Sequence, residues 1–294
     1  MNSYTSKLPP LDPTRVAIIE KFGAEISAID PVGAEVRGVD LTSQTEPPAE
    51  LLEALEQEMA FRGFLVFKSD KQLEAEDFLR ASCWWGGKEL HSTHGVHPAT
   101  PGGNRHIFRL SNDRRAAYRA LRDERKEFWS RLSSVNSSTG AVHPVVHRHP
   151  LSQEKCIWLH LGMTGAVIEK MPDKDEFRLL DATELKQLCH QYNDILNAGL
   201  EDGYAIGYEY QENDCVFIDN LAVAHRASPE AHLPPEEQGL RIMHRSTVRG
   251  VQDLAPDFGL PLHLNIHGPR PSTQGVWQSG GIGFRWDDGV RMQN

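Results

Sequence analysis

Apolar residues recur at helical spacing most clearly between 182 and 198. Leu185, Leu188, Cys189, Tyr192, Ile195 and Leu196 fall on one face at 3.6 residues per turn. Asp181 stands at the capping position, with Glu184 three residues on to reach back to it. A second helix opens at Pro47 and Pro48, carries Leu51, Leu52, Leu55 and Met59 on one side, and stops near Gly63. A third runs from about Ala75 to Trp85, ahead of Gly86 and Gly87. Between them lie β patterns. Phe64-Leu65-Val66-Phe67 is a short apolar run of the buried-strand type. Tyr204, Ile206, Tyr208 and Tyr210 alternate, Gln211 to Asp214 form a turn, and Cys215 to Ile218 make the returning strand. Short β segments fill Ala24 to Leu41, and Ile242 to Val248 gives another run. The pattern predicts a mainly β protein with α-helices flanking the core. It predicts a loose N-terminal arm over 1–15 and a single domain over 16–294, with an extended tail from 256 to 294 that wraps the surface.

Composition narrows the class. Of 294 residues, 39% are apolar and 24% charged, the balance of a folded globular chain. The net charge of -10 comes without a Lys/Arg block, which excludes a nucleic-acid footprint. No run is long enough to span a bilayer, and the polar, proline-broken start does not read as a signal peptide. Cys83, Cys156, Cys189 and Cys215 are widely spaced, as expected of reduced thiols in a cytoplasmic protein.

Candidate chemistry gathers late in the chain. His225 ends the segment Asp219-Asn220-Leu221-Ala222-Val223-Ala224-His225, and Arg241-Ile242-Met243-His244-Arg245 follows. On a strand Arg241 and Arg245 share a face, about 13 Å apart at ~3.3 Å per residue. Guanidiniums so placed suit bidentate capture of carboxylates or sulfonates. His147 and His149 put two imidazoles on one strand face, a spacing that a zinc lyase or hydrolase can use, although no third ligand lies nearby. His263 and His267 pair only in a helix, which Pro261, Gly268 and Pro269 oppose. Trp84, Trp85, Trp277 and Trp286 read as packing.

Taken together, these residues resemble the taurine/2-oxoglutarate-dependent dioxygenases (the TauD/TfdA family), which are non-haem Fe(II) enzymes. The likeness rests on Asp219-Asn220 with His225, on Arg241 to Arg245, and on Thr247. Further blocks resemble it upstream: Gly33-Ala34-Glu35 with Gly38 to Leu41, Gly63 to Phe67, Glu89-Leu90-His91, and His143 to Val146 with His149-Pro150. The resemblance implies a double-stranded β-helix (jelly-roll, cupin-like) core, with Fe(II) and the co-substrate 2-oxoglutarate. It implies His225 as an iron ligand, Arg241 as partner of the 2-oxoglutarate carboxylate, and Arg245 and His91 at the substrate. That substrate is a small molecule with an anionic group; nucleic acid and membrane are not expected partners, and a homo-oligomer is an open expectation.

One part of the family pattern is missing. The other two iron ligands come from a His-x-Asp or His-x-Glu motif, and none of the fourteen histidines has an acid two residues on. Both flanks of the missing stretch are present. Arg109 to Asp113 leads through Arg114-Arg115 straight into Ala116-Ala117-Tyr118-Arg119-Ala120-Leu121. This reads as an internal deletion with its junction near 113–116, because drift of single residues leaves spacing intact. His91, His94, His97 and Asp113 are the candidate stand-in ligands. The alternative function is a jelly-roll remnant without catalysis that binds a small acid or a protein partner.

Overall fold

The computed structural model describes residues 8–87, 109–136, 142–161, 163–174, 176–227, 247–248, 250–251, 254, 286–287 and 291–292; at 75, 109–113, 226–227, 286–287 and 291–292 the description is of the backbone alone. In chain order the elements are α1 (Pro13–Lys21), β1 (Glu25–Ala28), β2 (Ala34–Arg37), α2 (Ala49–Arg62), β3 (Phe64–Phe67), α3 (Ala75–Ser82), β4 (Arg109–Asp113) and α4 (Arg114–Ala120). Then come α5 (Asp123–Ser130), β5 (Leu132–Asn136), β6 (Val142–Pro144), β7 (Val146–Arg148), β8 (Lys155–Ile157), β9 (Thr164–Lys170) and β10 (Phe177–Leu179). The described series ends with α6 (Ala182–Ala198), β11 (Ala205–Tyr208), β12 (Cys215–Ile218) and β13 (Val223–Ala227), apart from a short pairing of Trp286–Asp287 with Arg291–Met292.

Where the sequence suggests one domain over 16–294, the chain divides into two compact units. Thr5–Asp113 with Gly203–Asp253 makes one, and Arg114–Asp202 makes most of the other. The chain passes from one unit into the other at Asp113/Arg114. The arm expected over 1–15 is shorter than that. Asp12 accepts from the amides of Thr14 and Arg15 and so caps α1, with Pro13 supplying its first turn.

The first unit holds two sheets, ordered β1-β2-β3-β12 and β11-β4-β13. Strand β3 is buried along its whole length, which is why its sequence does not alternate. Leu65 and Phe67 pack into a cluster with Leu55, Trp84 and Trp85. Phe64 and Val66 pack on the other side with Val32 and Val223. Trp84 and Trp85 are packing residues, as expected, while Trp277 and the Trp286 side chain lie outside what is described. Trp84 stacks on Phe217, and the Trp85 indole N–H donates to the Leu52 carbonyl at 3.0 Å.

Strands β11 and β12 do not form the expected hairpin. β12 pairs with β3 and β11 with β4, so the turn at 211–214 carries the chain from one sheet to the other. A buried ion pair fixes that turn. Lys68 Nζ lies 2.7 Å and 3.0 Å from the two Asp214 oxygens and 3.1 Å from both the Tyr208 hydroxyl and Gln211 Oε1. Tyr208 donates to Asp214 at 2.8 Å, and burial together with that carboxylate pushes its phenol pKa up.

The second unit holds the sheet β10-β9-β5-β6 and the pair β7-β8. Helix α6 forms as its pattern predicts. Asp181 and Glu184 close a capping box, and Leu185, Leu188, Cys189, Tyr192 and Leu196 are buried. Tyr192 packs on the fully buried Trp129 of α5. Val135, Ala166, Ile168 and Phe177 make the apolar face of the larger sheet.

Two measurements check these energetics. Asp214→Ala leaves Lys68 buried without its carboxylate and lowers stability by about 3 kcal/mol in urea unfolding. Glu56 on α2 has its pKa raised by partial burial, then by Asp219 and Glu53. Its folded state therefore holds a proton more tightly than its unfolded state, and the penalty appears as pH rises through the raised value. Glu56→Gln raises Tm by roughly 1 °C at pH 7, allowing for solvent screening, and changes nothing once acid has protonated Glu56 in both states.

Candidate active site on strand β13

The position of His225 follows from three local devices. The first is a turn. Asp219 Oδ1 accepts from Leu221 N at 2.8 Å and Ala222 N at 3.3 Å, while its carbonyl accepts from Ala222 N and Val223 N. This Asx-type turn bends the chain out of β12 and starts β13.

The second is Gly63, which ends α2 with φ +90. A Cβ there would collide with Val223 Cγ1, so the backbone after α2 passes tight against β13. The Gly63 carbonyl also accepts from Asp219 N at 2.9 Å. One glycine thus touches both the turn and the strand. The third device is register. β13 pairs antiparallel with β4, setting His225 opposite Ser111, Val223 opposite Asp113 and Ala227 opposite Arg109. On its other side β4 pairs with β11, which puts Ile206 opposite Ser111. His225 is therefore mid-strand and half-buried.

An iron site of the two-histidine, one-carboxylate kind needs three donors converging on one face. Around His225 the register offers Ser111 directly across, and Arg109 and Asp113 two positions to either side on β4. Of these three residue types only the aspartate is an ordinary metal ligand. Among the described residues no three His, Cys, Asp or Glu side chains stand close enough together to hold a metal. The described residues do not by themselves fit the facial triad.

His147 and His149 are no zinc pair. Both are buried, but β7 ends at Arg148, so His149 lies past the strand. Its Nδ1 accepts from the amides of Leu151 at 3.2 Å and Ser152 at 3.1 Å, so that nitrogen holds a turn and is not available to a metal. The two-residue spacing suggested ligands because a strand was assumed to continue through 149.

Arg241, Arg245, His91, His94, His97, His263 and His267 lie outside the described residues, as does the strand expected from Ile242 apart from Thr247 and Val248. The sequence marks Gly63 as a helix end and Asp219 as part of a longer motif, and neither signal shows their work in placing β13. A glycine at a helix end is a weak signal; the contact that gives it meaning comes from Val223, far along the chain.

Residues 110–247 match the profile of the taurine catabolism dioxygenase TauD, TfdA family. Three solved structures share the fold. One, from Burkholderia xenovorans and described as a candidate alpha-ketoglutarate-dependent taurine dioxygenase, superposes with a TM-score of 0.59 at 18% identity, covering 81% of this chain and 93% of its own. A second from that organism, described as a candidate alpha-ketoglutarate-dependent 2,4-D dioxygenase, gives 0.55 at 20% identity, covering 76% and 96%. AAD-2, solved with Mn(II) and N-oxalylglycine, gives 0.59 at 18% identity, covering 78% and 98%.

Gly63→Ala strains a positive-φ residue and forces Val223 aside, lowering stability by about 1–3 kcal/mol. Asp219→Ala removes the turn's acceptor and costs about 1 kcal/mol, most of which Asp219→Asn retains. Denaturant unfolding of the three variants measures both effects.

Proposed function

Because the chain is TauD/TfdA-like, we propose that it is an Fe(II)/2-oxoglutarate dioxygenase-type oxidoreductase for a small polar or acidic molecule, with a metal site reduced to one of its usual ligands. The observation that carries this reading is the reach of the family match. It takes in β4 from Leu110 on, the whole of β13, and the basic pair that follows.

In this reading His225 is the retained iron ligand. Arg241 pairs with the distal carboxylate of 2-oxoglutarate, where a guanidinium offers two parallel donors. Arg245 and His91 face the substrate, whose anionic group Arg245 would hold. When bound, the metal and 2-oxoacid supply the oxidising chemistry, and the protein supplies position and exclusion of water. Since the donors beside His225 do not complete the site, no catalytic step is assigned to these residues. A second reading is favoured by the direct passage from β4 into α4: a jelly-roll remnant that binds a small acid or a protein partner without oxidising anything.

The same proposal takes the chain to be cytoplasmic. Its four cysteines are free, and burial pushes the Cys189 and Cys215 thiols up to about 12, so neither is reactive at neutral pH. No described helix is long and apolar enough to cross a membrane.

Calorimetric titration with 2-oxoglutarate tests the assignment of the acid. Binding weakened about tenfold or more by Arg241→Ala, and little changed by Arg245→Ala, is the expected result. Equal affinity in wild type and Arg241→Ala would sink the role given to Arg241.

A further inference from the structure

Residues 8–15, which the sequence pattern assigns to a loose arm, make contacts that an arm would not need. We infer that Leu8 to Arg15 form a strap across α2, and that the two charged residues beneath it, Glu58 and Arg62, are positioning residues for the strand that bears His225. The importance given to His225 rests on the dioxygenase reading; the strap does not.

Glu58 and Arg62 stand four residues apart on α2 and so share one face. Both are buried, at 0% and 2% exposure. Glu58 Oε1 accepts from the Asp12 amide at 3.1 Å and from Arg15 Nε at 2.7 Å. Arg62 holds the start of the strap, donating to the Pro9 carbonyl at 3.0 Å. The same guanidinium donates to the Gly33 carbonyl at 3.0 Å and to that of Ile29 at 3.5 Å. One side chain thus joins the strap to the loop between β1 and β2.

Charge beneath a strap has a physical consequence. An apolar groove loses stabilisation when it is uncovered, whereas a carboxylate and a guanidinium regain their hydration. The strap is therefore held in part by bonds that water can replace. While seated it must keep Pro9 and Asp12 in place, because a buried donor left without an acceptor costs more than a typical bond contributes.

Three contacts carry this seating to β13, all within the unit of Thr5–Asp113 and Gly203–Asp253. Leu8 packs against the cluster of Val32, Phe64, Val66 and Val223. The Arg62 carbonyl accepts from Gly33 N at 2.8 Å, so its backbone and its side chain hold the same loop. The next residue, Gly63, lies tight against Val223 and accepts from Asp219 N. Val223 and His225 are two positions apart on β13 and share its face. A close-packed core passes a displacement on to its neighbours.

Hydrogen exchange and NMR test the strap on the full chain, with neither iron nor 2-oxoglutarate added. Leu8→Ala removes the contact with the Val223 cluster, and Arg62→Ala removes the anchor. Lys21→Ala, which breaks the exposed Lys21–Glu50 pair between α1 and α2, is the control. The expected result is amide exchange about tenfold or more faster over 219–225 in the first two variants, with β5 and β9 unchanged. The ring signal of His225, assigned by its loss in His225→Ala, moves in those two and stays in Lys21→Ala. Faster exchange confined to α1, with the His225 signal fixed, would overturn the inference. Equal acceleration in both units would overturn it too, as the mark of a general loss of stability. Should Arg62→Ala fail to fold, Leu8→Ala decides alone. Failure of 2-oxoglutarate to bind, measured separately, removes the dioxygenase reading and leaves the strap.

Discussion

The candidate site depends on the pairing of β4 between β11 and β13. Buried backbone amides and carbonyls must find partners, and a strand flanked on both sides meets that demand by giving up its freedom to move. From this follow the half-buried position of His225 and the set of residues that face it across β4. The metal question is thus a backbone question. Side chains at the site can be exchanged by mutation, but a donor needs a stretch of chain to stand on.

Much of this was legible in the sequence, for identifiable reasons. Helix α6 combines a capping box with a full apolar face, so two independent signals mark the same ends. β3 shows as an unbroken apolar run because it is buried on both faces. What misled was adjacency along the chain. Cys215 to Ile218 follows a turn and an alternating segment, so a hairpin was the natural reading; the partner of β12 is instead β3, which lies some 150 residues earlier. Pairing at that range is settled by burial of Phe64 to Phe67 and leaves little trace in local sequence.

The histidines show the same limit from the chemical side. A spacing of two residues makes His147 and His149 look like ligands only if the strand continues, and the strand ends between them. His149 then serves a turn, accepting two amides through one ring nitrogen. His225 looks less distinctive in isolation, and it was found because Asp219 and the two arginines accompany it in one family pattern. Residue type proposes a role; neighbours along the strand and across it decide.

The fold's independence from the metal completes the argument. In a zinc finger the ligands hold the chain together, so losing them unfolds it. Here β13 is held by the Asp219 turn, by the close approach of Gly63 to Val223 and by pairing with β4, and none of these passes through a metal ligand. A chain built this way holds His225 in place without help from a metal. The geometry of His225 on β13 is accordingly a property of the fold, set by backbone pairing and a turn whether or not a metal binds there.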